Sequence, residues 1–152
     1  MEIPHRINFA KAMVAHYHYD KEEVARLYFD DCQTKTKYSK RDIAYLHSAF
    51  WNDRDTPDVC GNMNIQTFMD WCEDQDPMLQ LPDEYLFAGR ISVLLRGMGN
   101  AFGLKLRMSE LWLEYAEKLL KSQGINYIPP ILLEKENMKY KEKQMQKEKT
   151  IE

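Results

Sequence analysis

Apolar residues recur at every third or fourth position along most of this chain, and nowhere do they alternate long enough to build a sheet. That period turns one face of each segment inward as an α-helix and predicts an all-α fold. Ile7, Ala10, Met13, Val14 and Tyr17 mark a first helix. Asp20, with Glu23 three residues on, offers an N-cap for a second through Val24, Leu27 and Tyr28. Ser39 and Asp42 repeat the box-like start for a third, whose face is Ile43, Leu46, His47 and Phe50, before DRDTPDVCGN breaks the pattern into a polar loop.

Asn64 is placed to cap a short fourth helix with Ile65, Phe68, Met69 and Cys72 on its face, closed by EDQDP. Pro82, followed by Asp83 and Glu84, suits the first turn of a fifth, where acidic groups meet the positive end of the helix dipole. A sixth runs from Ser109 through Leu111, Trp112, Tyr115, Ala116, Leu119 and Leu120 to Lys121, with Gly124 as its left-handed cap. After Pro129 and Pro130 the chain turns to interleaved Lys and Glu with almost no apolar face. The expectation is therefore about six helices in one domain over residues 1–128, followed by a charged tail over residues 129–152, frayed or disordered.

At 152 residues and 44% apolar the chain can bury one core. A formal charge of −3 gives no broad positive field for nucleic acid. Cys32, Cys60 and Cys72 are odd in number and widely spaced, which suits reduced thiols. The N-terminal residues carry no recognisable targeting signal, and the apolar-leaning stretch from Leu86 to Leu106 is broken by Arg90, Arg96, Asn100 and Lys105, so no transmembrane segment is expected.

Within that stretch Gly97, Gly99 and Gly103 spell G-x-G-x-x-x-G. A phosphate-binding glycine loop follows a strand, whereas these glycines follow the helical stripe of Phe87, Ile91, Leu94, Leu95 and Met98, so they are read as helix-packing or helix-ending residues. Counting a calcium loop from Asp53 puts Pro57 at its fifth position and Asn64 at its twelfth, and the match fails, leaving a solvated acidic loop. Arg54 and Asp55 lack the histidine and asparagine of a kinase catalytic loop, since Asp53 and Cys60 hold those places.

His16 and His18 point to opposite helix sides and no pair stands at zinc-chelating spacing. His5, His47 and the thiols form no nucleophile–base arrangement, and Trp51, Trp71 and Trp112 read as core or interface anchors. Arg90 and Arg96 interrupt an apolar face, where an arginine pairs with a carboxylate, grips a phosphate or snorkels to water. The tail's lysines are diluted by glutamates and read as solvated. No catalytic, cofactor-binding or metal-ligating residue is assigned.

Leu81-Pro82, then Arg90, then LLRGMG at Leu94 to Gly99, followed by a helix with Trp112, Tyr115 and Ala116, resembles the C-terminal region of the UbiB/AarF-domain atypical kinases. RINFAKAMVAHYHYD, from Arg6 to Asp20, is similar to the family helix that follows the metal-binding Asp-Phe-Gly, and Val24 to Phe29 to the helix after it. The resemblance spans roughly residues 4 to 125. It implies a helical subdomain like the C-terminal lobe of a protein-kinase-like fold, a family link to ATP, Mg²⁺ and quinone metabolism, and a mitochondrial or plastid setting.

The family's alanine-rich nucleotide loop, Lys-x-Gly-Gln motif, strand lysine, catalytic-loop Asp and Asn, and Asp-Phe-Gly are all missing from these residues, so the expectation is a part lying downstream of them. Such a part is inactive alone and structural in role, because phosphoryl transfer depends on those groups and Mg²⁺. Its partner is then the missing N-terminal kinase half or another protein, with self-association through exposed apolar surface. The alternative is a free-standing helical interaction adaptor.

Overall fold

A computed structural model of the chain describes residues 1–149, with side chains described as far as Lys143. Among these residues the fold comprises eight α-helices and one two-stranded sheet. Helix α1, Ile3–Tyr17, has Pro4 in its first turn. Helix α2, Lys21–Arg26, is capped by the Asp20 carboxylate, which accepts the Glu23 N–H at 3.1 Å, and runs on as a π-helical turn over Leu27–Asp31. The Glu23 side chain does not close a reciprocal box. It takes a bidentate grip from Arg26 at 2.7 and 2.9 Å and a bond from the Tyr127 hydroxyl at 2.8 Å.

Helix α3 spans Arg41–Asn52 and lies at the centre, with Ile43, Ala44, Tyr45, Ala49 and Phe50 buried. Its start differs from the sequence expectation. Ser39 does not cap it; Asp76, far along the chain, accepts the N–H groups of Tyr38 at 2.7 Å and Lys40 at 2.8 Å and the Thr36 hydroxyl at 2.7 Å. The same carboxylate ties together strands β1, Lys35–Thr36, and β2, Met78–Gln80, which pair antiparallel. Two strands this short carry no readable alternation, which is why sequence periodicity predicted no sheet at all.

The expected polar loop after α3 contains helix α4, Pro57–Cys60, started by its proline and burying Val59 and Cys60. Helix α5, Ile65–Gln75, opens at Asn64, whose side chain accepts the Thr67 N–H at 2.9 Å. Helices α6, Asp83–Ala101, α7, Met108–Ser122, and α8, Pro130–Lys149, complete the chain. The charged segment, expected to be a frayed helix or disordered, forms the helix Pro130–Lys149, with side chains exposed from Leu133 to Lys143. Its root is fixed: Pro129 is fully buried, and the Ile131 N–H donates to the second Asp20 oxygen at 2.9 Å.

Two large apolar clusters, with a smaller one of Ala25, Tyr28 and Ala44, hold these helices together. In one large cluster, Leu27, Ile43, Ala49, Phe50, Phe68 and Cys72 join α2, α3 and α5, with the Phe50 and Phe68 rings 4.5 Å apart. In the other α1 lies along α7 through Ala10, Met13, Val14, Ala116 and Leu120, with Phe9 on Trp112 at 5.6 Å. Each fully buried large side chain contributes on the order of 2 kcal/mol.

Helix α6 is fastened mainly to α3. Gly89 admits Trp51 so closely that a Cβ there would lie 3.3 Å from the indole, and buried Arg96 donates to the carbonyls of Phe50 and Trp51 at the C-terminal end of α3. The helix stops in a Schellman turn: Gly103 takes φ 73°, its N–H reaches Asn100 O at 3.0 Å, and the Leu104 N–H reaches Gly99 O at 2.8 Å.

Candidate interaction site

The stretch read as a solvated acidic loop keeps Asp55 and Asp58 exposed, but its first two residues, Asp53 and Arg54, form a polar joint inside the molecule. Asp53 has no exposed surface, and Arg54 is also buried. One Asp53 oxygen accepts the Ser109 N–H at 2.9 Å, and the other takes Arg54 Nη1 at 2.8 Å and Arg107 Nε at 3.2 Å. Arg107 goes on to donate to the carbonyls of His16 and Tyr17 at the end of α1. Arg54 bonds the Tyr45 hydroxyl at 2.8 Å and grips Asp58 at 2.7 and 3.0 Å.

Tyr19 lies over both guanidinium groups, 4.0 Å from that of Arg107 and 4.7 Å from that of Arg54. It adopts the left-handed φ of 56° to do so, a position that favours glycine, and the stacking on two cations offsets the strain. Burial opposes the charge of Asp53, but the neighbouring His16 and Arg107 and the Ser109 N–H outweigh it and hold the carboxyl below its usual range. Both Asp53 oxygens are occupied by donors of the cluster itself, while the buried Ser109 hydroxyl and His16 Nδ1 are left without a hydrogen-bond partner. The cluster ties the end of α1, the end of α3 and the start of α7 into one joint, and sequence reading missed Arg107 because its partners lie 54 and 91 residues away.

The other candidate residues are dispersed. His16 is buried with Nε2 3.0 Å from the Ser48 hydroxyl, and His18 caps the end of α1. His47 lies between Tyr28, 2.7 Å from Nδ1, and Trp51, whose indole N–H reaches Nε2 at 3.1 Å. Since indole only donates, Nε2 accepts, so the proton sits on Nδ1 and faces the Tyr28 oxygen. Burial lowers both His16 and His47 to about 4, so each is neutral at pH 7. His5 meets the Tyr85 hydroxyl at 3.1 Å. The three thiols are free and buried, and burial raises Cys32 to about 11 and Cys72 to about 12, far from reactive thiolates. Among the described residues no group of three or more His, Cys, Asp or Glu is arranged to hold a metal ion.

Gly97 and Gly99 lie inside α6, and Gly103 ends it. A Cβ on Gly99 would stand 2.7 Å from Leu106, so that glycine admits the returning chain, whereas Gly97 faces open space. Arg96 turns inward to α3. Arg90 stays exposed, 5.8 Å from the Phe87 ring. Trp51 and Trp112 pack between helices, and Trp71 flanks the core beside Phe68.

What α6 leaves uncovered is its other face. Phe87, Ile91, Leu94, Leu95, Met98 and Phe102 run down it, with Leu94 67% and Phe102 79% exposed. They continue into a groove of about 630 Å³ between α1, α6 and α7, lined by Met13, Ala88, Ile91, Trp112 and Tyr115 with Arg6 among them. A contiguous exposed apolar surface of this size is a mark of protein contact. Among the described residues no helix is long and apolar enough to cross a membrane. Comparison with family models, curated proteins and solved structures finds no match to this chain.

Proposed function

We propose that this chain is a helical protein-docking subdomain, equivalent to the C-terminal helical part of a UbiB/AarF-like atypical kinase, and that it acts through the outer face of α6. The observation that carries this reading is the row of six large apolar side chains on a helix whose opposite face, Tyr85, Gly89, Ser92, Arg96 and Gly99, is already buried against the body. A helix anchored on one side and apolar on the other is built for two neighbours.

The LLRGMG segment, on which the resemblance rests, has a local physical reason: Leu94, Leu95 and Met98 look outward, Arg96 fastens the helix to α3, and Gly99 makes room for Leu106. In the kinase-like frame ATP and Mg²⁺ belong to a catalytic segment that precedes α1, and these helices buttress it while α6 meets a partner. A free-standing adaptor would use the same face. A continuous upstream reading frame with lysine, catalytic-loop and Asp-Phe-Gly motifs supports the kinase frame, and its absence from the transcript supports the adaptor.

A photo-crosslinking amino acid placed at Leu94 tests the docking role in cells. The expected result is a discrete protein adduct from Leu94 and none from the same probe at Lys118 on α7. Equal or absent adducts at both positions refute it.

A further inference from the structure

The α6 face has an internal symmetry. Reflected about the point between Leu94 and Leu95, its apolar positions map onto one another: Leu94 onto Leu95, Ile91 onto Met98, Phe87 onto Phe102. Ala88 likewise falls on Ala101.

A row of side chains that reads alike in both directions is what an isologous contact requires, since a two-fold axis brings residue i of one copy against residue j of the other and j against i. The spacing from Phe87 to Ile91, Leu94 and Met98 alternates four, three and four residues, the seam by which one helix packs along another. Like charges are kept out of the seam. The one exposed charge on α6 beyond its first turn, Arg90, stands at its flank.

We propose that two copies of this chain pack their α6 helices antiparallel about a two-fold axis between Leu94 and Leu95, forming a homodimer. This rests on the reading of the face as a protein contact and names its occupant. The area suffices: the six exposed side chains present on the order of 600 Å² per copy, and twice that reaches the roughly 1,200 Å² at which specific interfaces become stable. Leu104, Leu111 and Tyr115 are also exposed, and Tyr115 lines the same groove as Ile91.

Sedimentation of the full chain tests the state: the expected mass is twice the 18.1 kDa of one chain, falling to one chain in the Leu94→Glu/Leu95→Glu double variant with its helical circular dichroism kept. Orientation is tested by oxidising a mixture of Phe87→Cys and Phe102→Cys copies. A disulfide between unlike copies, with neither variant linking to itself, is the expected result, because antiparallel packing sets the two Phe87 positions about 22 Å apart along the helices. Self-linking of Phe87→Cys overturns the antiparallel arrangement. A dimer that survives the double glutamate substitution places the contact elsewhere and overturns the proposal. A monomer at every concentration overturns it too, and if Leu94 in that monomer still crosslinks to a different protein, the docking role stands without the dimer.

Discussion

Asp53 accepts the backbone N–H of Ser109 at 2.9 Å across 56 residues, so the last residue before one loop serves as the N-cap of a helix far along the chain. The same carboxylate neutralises Arg54 and Arg107, both largely removed from water. Replacing Asp53 with alanine leaves two guanidinium groups without their shared anion and strips α7 of its cap. The expected loss is about 3–5 kcal/mol of unfolding free energy, measured by urea denaturation. Retention of stability within about 1 kcal/mol would show that water screens this cluster.

Acid should destabilise the protein through its histidines. His16 and His47 titrate at about 4 when folded and near 6.5 when unfolded. Between those values the unfolded chain binds protons that the folded chain refuses, so stability is complete above pH 6.5 and falls as pH drops towards 4, by up to about 3 kcal/mol for each. His47→Gln keeps an acceptor for Trp51 and a donor for Tyr28 but cannot titrate. Unfolding free energy should therefore fall less steeply from pH 7 to 4.5 in that variant, the remaining slope coming from His16 and from His18, which burial also lowers. Glu23, Asp53, Asp58 and Asp76 have depressed folded values, and their contribution is lost at still lower pH.

The glycines of α6 should respond oppositely to alanine. Gly99→Ala drives a methyl group into Leu106 and is expected to cost about 1–3 kcal/mol, whereas Gly97→Ala meets nothing and should stabilise by about 0.5–1 kcal/mol through helix propensity. Thermal melts of the two variants decide this. A phosphate-cradling role would instead require both positions to tolerate no side chain.

Asp76 organises the turn before α3 with three hydrogen bonds. Asp76→Ala should cost about 1–3 kcal/mol and speed hydrogen exchange at the amides of Tyr38 and Lys40, leaving exchange in α7 unchanged. Protection unchanged at those two amides would contradict the assigned role.

Helical periodicity foretold the helices whose apolar faces are long, and local caps foretold starts such as Asp20 and Asn64, because both signals lie within one or two turns of sequence. The joint at Asp53 was hidden for the opposite reason. An aspartate between Asn52 and Arg54 reads as surface loop, and only the distant Arg107 and Ser109 make its burial affordable. The start of α3 misled in the same way, since Ser39 stands where a cap is expected while Asp76 performs the task from 36 residues beyond Lys40. The exposed row on α6 was visible as a stripe. Which of its faces is covered depends on α3, and that only the three-dimensional arrangement supplies.

Helix α8 is rooted by one Asp20 oxygen while the other oxygen starts α2. Its 20 residues, at 1.5 Å each, make a boom about 30 Å long, with exposed side chains from Leu133 to Lys143. Any group joined near Lys149 would therefore sit about 3 nm from that root, and a cut just ahead of Pro129 would unseat the boom and strand half of the carboxylate that begins the second helix.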